Sequence, residues 1–409
     1  MSTITKAPST SGTIAAPRVV SIDIFRGLTM AVMIFVNELS GVRGLPWWTY
    51  HALADVDVMT YVDMVFPFFL FSVGMSLPLS VSQRLKRNPS LPSLWMHVLL
   101  RSASLLALGL ILANAEKADP ARMIISGNTW GLLGILSMAL YLNVYVKSER
   151  FPAYSTILRI VGLVGVVIVF ALFRRTTHSG NAAWIDPSYP EILGLIAYSY
   201  LATAILYIPT RRWKWASAVW FVLLVALCVF STAKILVFPD RLPLYLWPFS
   251  NGAMACMIMA GVVTSTIFLG ADRRPSPRRA MLIAAGFAIL AFAAGMVFTP
   301  LGISKIRATP TWSLYSIAAS VLLFMLLYWI CDVNLQTRWA ALFKPAGSNT
   351  LTTYLLPDLW YFLLATLGIT FLESHFNLGW PGVVKTLVFT LFILAVSAVL
   401  TKQKVRLQL

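Results

Sequence analysis

Twelve apolar stretches, each close to the length of a helix that crosses a bilayer, leave this chain little else to fold into. They run over 20–41, 59–81, 95–114, 130–146, 155–173, 190–208, 213–235, 249–270, 279–300, 309–331, 348–372 and 381–401. The 409 residues are 58% hydrophobic and 11% charged, against about 45–50% and about 25% in soluble domains, so too few charges exist to cover a soluble core. In hydrocarbon each spanning segment must satisfy its own backbone, which makes these stretches helices. The expected fold is all-α, a polytopic transmembrane bundle of about twelve helices. Eleven helices with one re-entrant segment, or ten, are the alternatives. Residues 1–17, rich in Ser, Thr, Ala and Pro, lack the apolar run of a signal peptide and are expected to be a disordered cytoplasmic tail. Residues 18–409 are expected to form a single transmembrane domain.

The net charge of +17 is distributed by loop. With the N-terminus in the cytoplasm, the inner segments carry nineteen Lys and Arg, from Lys6 and Arg18 through Arg84, Lys86, Arg87, Lys147, Arg150, Arg211, Arg212, Lys214, Arg273, Arg274, Arg278, Arg279, Arg338 and Lys344 to Lys402, Lys404 and Arg406. The outer loops carry eight: Arg43, Lys117, Arg122, Arg174, Arg175, Arg241, Lys305 and Arg307. The excess follows the positive-inside rule, so both termini are expected in the cytoplasm and the helix number to be even. The same reading removes nucleic acid as a partner, because no basic soluble domain exists to bind it.

Charges in the hydrocarbon cost at least about 2.5–3.5 kcal/mol each, so each needs a reason. Asp23 and Arg26 lie three apart near the inner end of the first helix and share a face. They form either an ion pair that fixes packing or a cation presented to a cytoplasmic anion. Asn37 and Glu38 lie near the outer end of that helix. Asp63 lies about one turn into the second helix, just before Pro67. His51 stands on the loop between them. Asn37, His51 and Asp63 are therefore expected to meet at an outward-facing pocket, where an imidazole oriented by a carboxylate can accept a proton. The alternative for His51 is a solvated loop residue. Trp47, Trp48 and Tyr50 read either as an interfacial belt or as a platform on which a sugar ring stacks. Arg101, Arg159 and Lys234 are placed to snorkel. Asp358 follows Pro357 in the middle of the eleventh stretch, deep enough to need a partner. His97 reads as interfacial, and His178 and His375 as outer-loop residues. No metal site is expected, since four histidines and three cysteines (Cys228, Cys256, Cys331) never cluster.

Several motifs occur in the order of a known family. The run Ser21-Ile22-Asp23-Ile24-Phe25-Arg26-Gly27 resembles the "S-x-D-x-F-R-G" opening of transmembrane acyltransferases. Phe35-Val36-Asn37 resembles the "F-V-N", and Asp63-Met64-Val65-Phe66-Pro67-Phe68-Phe69 the "D-L-V-F-P-W-F", of the heparan-alpha-glucosaminide N-acetyltransferase group and its bacterial branch linked to N-acetylglucosamine utilisation. His51 falls where that family has its proposed catalytic histidine. Pro345-Ala346-Gly347-Ser348-Asn349-Thr350 resembles its "G-M-N-S" helix start. Asn251-Gly252 and Thr309-Pro310-Thr311-Trp312 resemble motifs of the bacterial branch.

The resemblance implies a bacterial inner-membrane, multi-pass enzyme. It would move an acetyl group from cytoplasmic acetyl-CoA to a glucosamine-type amino sugar at the outer side. It implies His51 as general base or acetyl carrier, Asn37 as donor to the oxyanion, and Asp63 as the group that orients His51 or binds the sugar. Arg26, Arg101, Lys344 and Asn349 are expected to hold CoA near the inner face. Trp47, Trp48, Glu38 and Asp358 are expected to bind the sugar. The expected partners are the amino sugar, CoA and the lipid bilayer, with a homodimer left open. The competing reading is an amino-sugar transporter without acyl chemistry, with Pro67 and Pro357 breaking helices at a midplane site. A polysaccharide O-acetyltransferase would run the same chemistry on a hydroxyl.

Overall fold

A computed structural model describes residues 19–145, 153–177, 179–237, 251–270, 275–369, 371 and 375–408. The expected tail at 1–17, His178, and the cations Lys6, Arg18, Lys147, Arg150, Arg241, Arg273 and Arg274 lie outside the described residues. Twelve of the thirteen α-helices described coincide with the twelve apolar stretches. In chain order they are α1 (Val20–Leu39), α2 (Val62–Arg87), α3 (Leu91–Ala115), α4 (Gly127–Leu142), α5 (Tyr154–Leu172), α6 (Glu191–Thr210), α7 (Ala216–Thr232), α8 (Ala253–Leu269), α9 (Pro277–Val297), α10 (Pro310–Tyr328), α12 (Thr350–Thr366) and α13 (Gly379–Lys402). The additional helix, α11 (Phe343–Ser348), is a short turn leading into α12. Among the described residues eight helices are long and apolar enough to cross a membrane, and α7 and α8 are shorter apolar helices. The chain is an all-helical, multi-pass membrane protein. A two-stranded hairpin, β1 (Arg175–Thr176) with β2 (Ala182–Ala183), decorates the loop after α5.

Local chemistry starts the helices where the sequence signals them. Ser90, Ser126, Ser276 and Thr309 each accept the amide of the residue three positions on, and proline follows directly within the first turn of α3, α9 and α10. The centre of the bundle is α8, buried along nearly its whole length, packed against α2 and α7 with α6 and α10 alongside. α5 and α9 lie at the edge and turn Ile160, Val164, Val167, Leu282 and Leu290 outward, as helices facing lipid do.

Contacts between helix ends fix their alternation. The Asp332 carboxylate, on the π-turn Trp329–Val333 that continues α10, accepts the Val20 and Ser21 amides at 2.9 and 3.0 Å. That carboxylate satisfies amides the first turn of α1 would leave bare, and its charge suits the positive end of the helix. The start of α12 meets the end of α13, where Asn349 Nδ2 donates to Thr401 Oγ1 and Val405 O. On the opposite face the Arg43 amide donates to Asn377 O at 2.9 Å, and Lys117 pairs with Asp186 at 2.8 Å. Each pairing joins loops of equal parity in a twelve-span count.

Glycine is required where helices touch most closely, between α2 and α8 at Gly74 and Gly261 and between α1 and α11. A Cβ on Gly27 would stand 2.0 Å from Phe343 O, and one on Gly347 2.0 Å from Asp23 O, so α1 and α11 touch backbone to backbone. Two sequence motifs far apart in the chain meet at this contact.

Candidate active site

His51 is held at the mouth of the bundle opposite the termini. The 3-10 turn Trp47–Thr49 leads into it, and Tyr50 pins the loop by donating its hydroxyl to Val42 O at 2.7 Å. His51 Nδ1 lies 2.8 Å from Asp63 Oδ1. The Asp63 side chain is 1% exposed and that of His51 40% exposed, so an imidazole open to solvent rests on a buried carboxylate. The other Asp63 oxygen accepts the amides of Ala52 (3.2 Å) and Thr60 (3.0 Å) and lies 3.3 Å from Thr60 Oγ1. Trp312 Nε1, from α10, donates to Asp63 O at 3.0 Å. Since an ionised carboxylate only accepts, the His51 proton belongs on Nδ1, which leaves Nε2 as the accepting nitrogen of the ring.

The loop before α10 supplies a member that sequence reasoning counted only among the outer cations. Lys305 Nζ lies 3.3 Å from both His51 Nδ1 and His51 Nε2. Its loop is fastened to the His51 loop by the Arg307–Asp57 ion pair and by the Ile303 amide, which donates to Asp57 Oδ1 at 3.2 Å. Both donors hold the Asp57 carboxyl below its ordinary range, Arg307 more than Ile303. Burial pushes the Lys305 ammonium down to about 8, against the Asp63 carboxylate, which favours the charged form.

The remaining expected residues are distributed as follows. Asn37 is exposed, and among the described residues its side chain makes no hydrogen bond, to His51 or to anything else. Trp47 and Trp48 are exposed beside His51, with the Trp48 ring 6.3 Å from that of Tyr61. Glu38 sits apart in a buried ion pair with Lys385 (2.7 Å), and Tyr361 donates its hydroxyl to the same carboxylate at 2.6 Å. This pair floors an apolar groove of about 670 Å³ walled by Trp360, Phe376, Trp380 and Val384. Asp358 lies on α12 beside Glu191, whose Oε1 accepts the Tyr354 hydroxyl at 2.9 Å. No hydrogen bond among the described residues joins Glu38 or Asp358 to the His51 cluster.

Toward the termini, Asp23 and Arg26 form an ion pair, and Arg26 Nε is buried without a hydrogen-bond partner among the described residues. Arg101 lies over the Tyr200 ring at 4.7 Å, and its Nε is also buried with no hydrogen-bond partner among the described residues. Such orphaned donors fit an anion. Lys344 is half-buried at the start of α11. Asn349 does not fit the anion-binding role expected of it. It is 2% exposed, its Nδ2 holds the C-terminal segment, and its Oδ1 accepts from Thr352 Oγ1 at 2.6 Å. Those contacts occupy the side chain in packing.

The family described as "Domain of unknown function (DUF5009)" matches residues 18–247. The chain belongs to the DUF5009 family. The DUF5009 match takes in Arg26, Asn37, His51, Asp63 and Arg101 and ends before Lys305, Lys344, Asn349 and Asp358. A segment of 98 residues, 24% of this chain, is 37% identical to the heparan-alpha-glucosaminide N-acetyltransferase of Homo sapiens. A segment of 100 residues, also 24% of the chain, is 35% identical to the protein of that name from Mus musculus. The matched segments cover 14% of the length of each of those relatives.

Proposed function

We propose that this DUF5009 protein is a membrane-embedded acetyltransferase that passes an acetyl group from cytoplasmic acetyl-CoA to an amino sugar at the opposite face. The observation that carries the reading is the 2.8 Å contact between half-exposed His51 and buried Asp63, an oriented base on a loop that also exposes Trp47 and Trp48. The partial similarity to an N-acetyltransferase supports it. Acetyl-CoA supplies an acetyl group activated as a thioester. Arg26 and Arg101, each with an orphaned buried Nε, and half-buried Lys344 hold its phosphates on the face that carries the termini.

His51 Nε2 takes the proton of the acceptor ammonium or amine as nitrogen forms the new C–N bond, the thioester C–S bond breaks, and the proton passes to the departing thiolate to give CoA thiol. Asp63 keeps the other ring nitrogen protonated and stabilises the imidazolium that results. Asn37, whose amide is unengaged among the described residues, donates to the oxyanion. Trp47 and Trp48 offer exposed rings to the apolar face of a pyranose. Glu38 is placed under the aromatic groove by its pairing with Lys385, so its effect on the acceptor is indirect.

The test is direct mass analysis of products from purified protein given acetyl-CoA and glucosamine. N-acetylglucosamine should form, and His51→Ala should lower turnover by about 10²–10⁴-fold. Full turnover by His51→Ala would remove His51 from the chemistry, and no product from the wild type with any amino sugar would remove the activity.

A further inference from the structure

An acceptor amine must approach His51 Nε2 within hydrogen-bond reach before it can be deprotonated. A primary amine of the chain already stands close to that position. Lys305 Nζ is 3.3 Å from Nε2, on a loop that Arg307 and Ile303 tether to Asp57. The tether keeps the amine over the ring. Arg307 is engaged by Asp57, so it does not compete for the imidazole.

We infer that Lys305 is an internal acyl acceptor, a modification site that the protein acetylates on itself when acetyl-CoA is present and the external amine is absent. The inference rests on the acetyltransferase reading. In the reaction, neutral Lys305 Nζ attacks the thioester carbonyl, the C–N bond forms, and the C–S bond breaks. The Nζ proton passes to His51 Nε2 and from there to the departing thiolate, giving CoA thiol and an Nζ-acetyl amide. Burial, which brings the Lys305 ammonium down to about 8, leaves far more free amine near neutral pH than an ordinary lysine has. An acetyl group on Nζ removes the positive charge from the His51 cluster and leaves a small neutral amide at the mouth. An external amino sugar occupying the same position displaces Lys305 and protects it.

The experiment uses the full chain in detergent, incubated with isotopically labelled acetyl-CoA, treated with neutral hydroxylamine to strip imidazole and ester adducts, and mapped by peptide mass. Stable label should enter Lys305 at least about 10-fold faster than it enters Lys117 or Lys404. His51→Ala should slow that entry by about 10²-fold. Should His51→Ala fold poorly, saturating glucosamine added to the wild type should itself suppress labelling of Lys305 by about 10-fold while other lysines are unaffected. Label at Lys305 no faster than at Lys117, in protein that acetylates glucosamine, overturns this inference and leaves the acetyltransferase standing. Absence of both product and label removes both together.

Discussion

Asp63 is approached by donors from three residues, His51, Ala52 and Thr60, and all of them require a carboxylate oxygen. Asp63→Asn keeps the shape but puts an NH2 against one of these donors. We expect acetyl transfer to fall by at least about 10²-fold, and the unfolding free energy to drop by about 1–3 kcal/mol because a buried donor loses its acceptor. Product formation and thermal melting in detergent measure the two. Lys305 gives a pH signature of its own. Its folded value, about 8, lies below the ordinary 10.5, so between those pH values the unfolded chain binds more protons than the folded one. Stability contributed at this position therefore rises with pH through that window and is flat below it. Wild type minus Lys305→Met melting temperatures should show this slope, and parallel curves would remove the effect. His51 and Asp63 were legible as partners because one loop joins them. Lys305 was legible only as one of eight outer cations, since nothing local distinguishes it from Lys117. Glu38 and Lys385 are lone opposite charges in separate apolar runs. Only Glu38 was marked as a candidate, for a sugar, although a buried charge most readily finds its opposite.

At the level of helices, the α1–α11 crossing makes a sharp claim. Gly27→Ala puts a Cβ into the Phe343 carbonyl, which cannot move without moving α11, and should destabilise by about 1–3 kcal/mol or more. Gly286→Ala on α9 meets nothing within 4 Å and should be neutral or stabilising by up to about 1 kcal/mol. Melting midpoints of the two variants in the same detergent test the contrast, and similar values would remove it. The long elements were readable because bilayer length sets them; all twelve appear, with bounds within four residues of those expected except the ends of α2 and α12, which lie six residues away. α11 was not, because six residues are too few to carry a period, and the expected eleventh stretch began at its last residue, Ser348. The chain breaks at Asn349 (φ −128°, ψ 49°), and no composition change marks that break.

For the whole molecule, the end-to-end contacts and the loop charges agree on an even count. A cysteine placed at Lys117 should react with a membrane-impermeant maleimide in intact cells, whereas one at Lys86 should react only after permeabilisation. Cys228, Cys256 and Cys331 are buried and should stay silent. The opposite labelling pattern would invert the topology and with it the direction of acetyl transfer. The expected orientation rests on the cations alone, because topology depends on loop charge and not on packing. The neighbours each helix chose were not, because lipid-exposed and protein-facing apolar residues are the same residue types.

The carboxylate of Asp332 on the first turn of α1 has a consequence for synthesis. α1 leaves the ribosome before α10 and α11, yet the groups that complete its first turn and its glycine crossing lie 312 and 320 residues later, at Asp332 and Gly347. α1 must therefore wait, half-finished, for α10 to be inserted. A nascent chain cut before Asp332 would present the insertion machinery with a helix whose own end had not yet been closed.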